Sequence, residues 1–198
     1  MAKAEGGGEL DELDEVLARE EQRAGVVRGS VRVMPLLETA SALFAARELA
    51  AGPRVERLQI GEVDLAADLG VTPGEEGTEL LWARSRVVAA SAAAGIAPPV
   101  GAASVEVRDL AAFRASTVTL ARLGFLGRAC VHPGQVAVVR EVFTPTGDEV
   151  GAARALLALL ERAGGGVCLD DAGRLVDEAV LRAARRTLAL AGRTQAAR

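Results

Sequence analysis

The sequence predicts an α/β fold built on a parallel sheet, and three observations carry that expectation. Short apolar runs recur along the chain, each is followed by a helix-length segment, and each helix-length segment is closed by glycine or proline. A strand that returns parallel to its neighbour needs a long crossover, and a helix supplies it. The 198 residues are enough for one sizeable core.

From residue 9, ELDELDEVLAREEQRAG places Leu10, Leu13, Val16 and Leu17 on one helical face and stops at Gly25. Gly6-Gly7-Gly8 before it is expected to be a loop, because Glu9, Asp11, Glu12 and Asp14 would repel a phosphate there. VRVMPLLE (31–38) reads as a strand covered on both faces, weakened by Pro35. Thr39 then caps a helix, TASALFAARELAA, that Gly52-Pro53 ends. VERLQIG (55–61) is a second strand, Asp64 to Leu69 a short helix, and TELLWARSRVVAASAAAG a long helix ending at Gly95. A third strand follows near VGAASVEV. Asp109 caps the next helix, GRACVHP (127–133) reads as a fourth strand, and GQVAVVREVF as its helix.

The C-terminal part has another pattern. GDEVGAARALLALLERA is a helix, Gly164-Gly165-Gly166 a link, VCLDDAGRLVD a hairpin or loop, and EAVLRAARRTLALAG a last helix. The division expected is an α/β domain over 1–145 and a helical extension over 146–198, which packs outside the main sheet or reaches toward a neighbouring subunit.

Composition excludes several functions. With 23 basic against 27 acidic residues there is no field to hold nucleic acid. The longest uncharged stretch, Val87 to Val105, is interrupted by Pro98-Pro99 and rich in alanine, so no membrane span is expected. The N-terminus has no apolar core of a secretory signal, and Cys130 and Cys168 form no C-x-x-C motif. A cytoplasmic protein is expected.

Three carboxylates, Glu38, Asp64 and Glu106, fall at or just beyond the ends of successive expected strands, the edge where parallel α/β folds bind ligands. Two of them would suffice for magnesium, which keeps water and substrate oxygens in its shell. His132 is the sole histidine, which excludes an H-E-x-x-H site. Cys130 and His132, two apart on a strand, could form a thiol–base pair. A buried cysteine beside a hydrogen-bonded histidine is the preferred alternative, and neither is assigned a catalytic role. Gly164–Gly166 lacks the Lys-Ser or Lys-Thr of a phosphate loop, and Arg182, Arg185 and Arg186 read as a solvated face.

Taken together, MPLLETA (34–40), IGEVDLAADLG (60–70), LLWARSRVVAASAAAG (80–95), VEVRDL (105–110), LGFLGRACVHPGQVAVVREVFTP (123–145) and GRLVDEAVLRAARR (173–186) resemble the HpcH/HpaI aldolase and citrate lyase beta-subunit family in order and spacing. The resemblance implies a TIM (β/α)8-type barrel and a carbon–carbon lyase that uses Mg2+ on citryl-, malyl- or citramalyl-CoA, yielding an acyl-CoA and a 2-oxo acid. By the same resemblance Glu38 and Asp64 are the metal ligands, and Glu38, Gly61, Glu62 and Val63 surround the bound acid. Asp177 matches a tail residue that acts as acid or base in the adjacent subunit, which implies a homo-oligomer, a trimer or hexamer. Here Val63 precedes Asp64 and the acid stands at Glu62, where the family often reads Gly-x-Glu-Asp. MAKAE resembles the Pro-Lys-Ala-Glu that ends the family's fourth strand, so an incomplete barrel, about its last four strand–helix units, is expected. A non-catalytic subunit and a class II aldolase on free hydroxy-keto acids are the other readings.

Overall fold

The computed structural model describes residues 1–74, 76–163, 167–170 and 172–196, with side chains described through residue 192. They fall into two compact units, Met1–Arg140 and Glu141–Arg198.

In the first unit, helix α1 (Gly7–Arg23) precedes strand β1 (Leu36–Leu37), which pairs in parallel with β2 (Gln59–Ile60). Single parallel bridges extend the array through Val33 with Val55, Gln59 with Val100 and Gly101 with Arg128. The third and fourth expected strands thus shrink to one paired position each, although Leu126 N donates to Pro99 O, Gly101 N to Gly127 O and Ala129 N to Gly101 O. Pro35 is tolerated because the pairing uses its carbonyl, which accepts from Gln59 N. Met1 pairs on the far edge of β1, donating its amine to Met34 O and accepting from Leu36 N.

The crossovers are α2 (Ala40–Phe44), α3 (Ala46–Ala51), α4 (Glu62–Leu69), α5 (Leu81–Ala94) and α6 (Leu110–Leu123), and α7 (Pro133–Phe143) follows the last paired segment. Thr39 and Asp109 cap α2 and α6 by accepting from Ala42 N and Ala112 N, and Gly70, Gly95 and Gly124 close α4, α5 and α6 with positive φ. The single helix expected after Thr39 is instead broken at Ala45. Arg86 takes the carbonyls of Leu43 and Phe44 with Nε and Nη2, at 2.6 and 2.8 Å, and its guanidinium lies 5.2 Å from the Phe44 ring and 5.6 Å from that of Trp82. The helix expected from Thr78 starts as a 3-10 turn, Thr78–Leu80. Gly7 and Gly8, expected in a loop, form the first turn of α1, where the Glu48 carboxylate accepts from Gly7 N at 2.7 Å.

Leu10, Leu37, Leu43, Leu49, Leu58, Ile60, Leu65 and Val87 build the core between sheet and helices. Leu13 and Leu17 pack against it, whereas Val16, expected on the same face, is exposed. An ion cluster ties α1 to the loop before β2: Arg54 bonds Asp14 through Nε and Glu21 through Nη1, and Glu21 also accepts from Gly29 N and Val31 N at 2.8 Å. The Arg54 guanidinium and these two amides hold the Glu21 carboxyl at about 2, below its ordinary 4.5. Its stabilising effect is complete above about pH 4.5 and is lost as pH falls toward 2. Thermal unfolding of Glu21→Gln should therefore show a shallower loss of stability over that window than the parent chain.

In the second unit, α8 (Gly147–Arg162) packs on α9 (Glu178–Ala196), and β3 (Cys168–Leu169) pairs antiparallel with β4 (Leu175–Val176). Thr146 and Glu149 form a reciprocal capping box on α8. The expected hairpin is therefore present. Its turn is held by Asp170, which accepts from the backbone N–H of Ala172 and Arg174. Arg182, Arg185 and Arg186 are exposed, as a solvated face requires. The Gly164–Gly166 link lies outside the described residues.

Candidate metal and substrate site

Because every pairing in the first unit is parallel, each paired segment leaves the sheet at the same edge. Leu37 lies opposite Ile60, which makes Glu38 and Gly61 neighbours at that edge. Glu38 is buried, and its Oε1 accepts from Lys3 N at 3.2 Å. A side chain at Gly61 would put a Cβ 2.9 Å from Glu38 Cβ and 3.1 Å from Oε2, so the carboxylate occupies space that only glycine leaves. Gly61→Ala should displace Glu38 and weaken magnesium binding by about tenfold or more with the helices intact, readable by calorimetry beside circular dichroism.

Gly61 is also the residue before α4. No side chain caps α4, so the first-turn N–H groups of Glu62, Val63 and Asp64 are presented at the edge. Val63 and Asp64 are exposed. Glu62 is turned into a two-pronged ion pair with Arg84, Nε to Oε1 at 2.7 Å and Nη2 to Oε2 at 2.6 Å. That pairing offsets one of two negative charges beside the helix start and raises the Arg84 pKa. Asp68, farther along α4, accepts from Ala40 N at 2.7 Å and ties α4 to the start of α2.

The other candidates are placed differently. Glu106 is in an exposed loop beyond the bridged Gly101, and its carboxylate accepts from Arg108 N. It is therefore a loop residue, not a strand-end acid. The segment 127–133 pairs only at Arg128, so Cys130 and His132 do not share a strand face as expected. Cys130 is half-buried rather than buried, its thiol donates to Arg128 O, and burial pushes its pKa up, which disfavours the thiolate. Asp177, in the second unit, caps α9: its Oδ1 accepts from Ala179 N at 2.9 Å and Val180 N at 3.0 Å.

Sequence reasoning missed Lys3, Arg84 and Asp68 as residues that hold the site. Arg84 is 22 residues from Glu62, and no local pattern marks such a pair.

No group of three or more His, Cys, Asp or Glu residues forms a metal cage among the described residues. What the edge offers is a buried carboxylate at Glu38 and an exposed one at Asp64. This donor set fits a hard cation that retains water and substrate oxygens, as magnesium does, and does not fit zinc.

Parallel strand–helix crossovers with carboxylates at one sheet edge define an α/β protein whose acidic residues gather where such folds bind ligands. The sequence matches the HpcH/HpaI aldolase/citrate lyase family over residues 3–133, and the chain belongs to that family. It is 34% identical over 194 residues to the citrate lyase subunit beta-like protein of Deinococcus radiodurans, covering 95% of this chain and 64% of that one. Against the L-malyl-CoA/beta-methylmalyl-CoA lyase of Rhodobacter capsulatus, identity is 36% over 170 residues, covering 75% and 53%. The crystal structure of CitE from Mycobacterium tuberculosis with magnesium, acetoacetate and coenzyme A aligns at a TM-score of 0.76 and 28% identity, covering 96% of this chain and 66% of that one. The chain thus spans between about half and two thirds of these relatives. Among the described residues, no helix is long and apolar enough to cross a membrane.

Proposed function

We propose that the chain forms part of a magnesium-dependent carbon–carbon lyase that divides a 3-hydroxyacyl-CoA of the citryl, malyl or citramalyl type into an acyl-CoA and a 2-oxo acid. The observation that carries this reading is the pairing of Glu38 with Gly61 at the edge from which Asp64 also emerges. The names of the relatives, a malyl-CoA lyase and a CitE bound to magnesium and coenzyme A, support it. The four parallel segments are read as the last four units of an eight-unit barrel, a fold of roughly 250 residues. Residues 146–198 are read as a lid and oligomerisation element of a homotrimer or homohexamer in the cytoplasm.

Glu38 and Asp64 hold the cation, and the uncapped first turn of α4, from Gly61 through Glu62 and Val63, receives the carboxylate of the 2-oxo acid. Arg84 keeps Glu62 from opposing that anion. The bound cation would supply Lewis-acid polarisation of the carbonyl that forms on cleavage. The hydroxyl loses its proton, the carbon–carbon bond breaks to leave the carbonyl of the 2-oxo acid, and the electron pair passes to the carbon next to the thioester carbonyl, where the enolate takes up a proton to give the acyl-CoA. Asp177 of a neighbouring subunit exchanges the proton.

Calorimetric titration of the 198-residue chain with magnesium, with and without glyoxylate, tests the reading. Saturable binding that tightens with glyoxylate is expected. A folded chain that binds neither overturns it.

A further inference from the structure

His132 stands immediately before α7, and its Nδ1 accepts from Gly134 N at 3.1 Å. A ring nitrogen that accepts a hydrogen bond is not the donor, so the ring N–H is left on Nε2. The ring is exposed, and no described residue bonds Nε2.

The backbone beneath this ring is fixed by Gln135, which is 0% exposed. Its Oε1 accepts from Val131 N and His132 N at 3.0 and 3.3 Å, and its Nε2 donates to Ser104 O and Glu106 O at 3.2 and 3.3 Å. One buried amide thus spends its hydrogen bonds on two loops. Both leave the sheet at the edge that carries Glu38, because Gly101 and Arg128 pair in parallel. At Arg128 the segment leading to His132 is two strand steps from β2 and three from β1, roughly 10 and 15 Å at ordinary strand spacing. That is too far for a ligand to the same ion, and it is within the reach of a substrate whose acid half lies at Glu38 and Gly61.

We propose that His132 donates its Nε2 proton to a carbonyl oxygen on the thioester arm of the substrate, with Gln135 as the positioning residue. The inference rests on the lyase reading above. Cap formation alone would account for the Nδ1 contact and would leave Nε2 without a role.

The test uses the full chain with its histidine labelled with 15N, and the single histidine gives one pair of ring signals. In the presence of magnesium, acetyl-CoA should shift the Nε2 signal saturably. A shift with CoA as well assigns the acceptor to the amides of the arm, and a shift with acetyl-CoA alone assigns it to the thioester carbonyl. His132→Asn keeps a capping oxygen and loses the outward donor, so its affinity for acetyl-CoA should fall about tenfold. Its melting temperature and its magnesium–glyoxylate titration should not change. Gly134→Ala, whose Cβ would lie 3.1 Å from Nδ1, should displace the retained ring and weaken acetyl-CoA binding by a smaller factor. A ring signal that stays fixed under acetyl-CoA, or unaltered affinity in His132→Asn, overturns the proposal. Loss of magnesium–glyoxylate binding in the parent chain instead overturns the reading on which it rests.

Discussion

Asp64→Asn is expected to weaken magnesium binding by more than about 100-fold, since loss of a mere supporting contact to a metal ligand already costs tenfold to 100-fold. The side chain is exposed in the first turn of α4, so neither core packing nor a described hydrogen bond depends on its charge. The melting temperature should stay within a degree or two of the parent chain. Glu38→Gln should lose binding similarly, although its buried position and its bond from Lys3 N make some loss of stability part of the outcome. Calorimetry on both variants beside thermal unfolding separates the two effects. Undiminished magnesium affinity in Asp64→Asn would remove it from the ligand set.

The second large effect concerns Asp177. Its capping of α9 means that Asp177→Ala confounds chemistry with helix stability, at about 1 kcal/mol for a lost cap. Asparagine caps as well as aspartate does, so Asp177→Asn should fold normally and still lose turnover. If the carboxylate serves a neighbouring subunit, Asp177→Asn and Asp64→Asn subunits mixed in equal amounts should recover about a quarter of parental activity, since a shared site draws one intact residue from each of two subunits. Two inactive variants that stay inactive when co-refolded would place Asp177 outside a shared site.

Elements marked by local chemistry were legible in the sequence. Thr39 and Asp109 announce helix starts through side-chain oxygens that reach only the next turn, and Gly95 and Gly124 announce ends through positive φ. Parallel pairing was legible from the alternation of apolar runs with helices, and so was the placement of Glu38 and Asp64 at one sheet edge from their position after such runs. The clusters that join distant segments were not. Arg54 with Asp14 and Glu21, and Arg84 with Glu62, bridge separations that leave no periodic trace. At the break at Ala45 the carbonyls of Leu43 and Phe44 are taken by Arg86, whose position 41 residues beyond Ala45 is invisible to any local window. Cys130 and His132 lie off the expected strand because pairing stops at Arg128, before the run 127–133 ends.

The chain contains one tryptophan and no tyrosine, and Trp82 stands in the first unit, half-exposed beside Phe44 and Arg86. Intrinsic emission excited at long wavelength therefore reports on Met1–Arg140 alone, while far-ultraviolet dichroism sums the helices of both units. Without any added label, the two signals form separate channels. Coincident transitions would mark one cooperative block, and displaced ones would resolve the order in which the halves come apart.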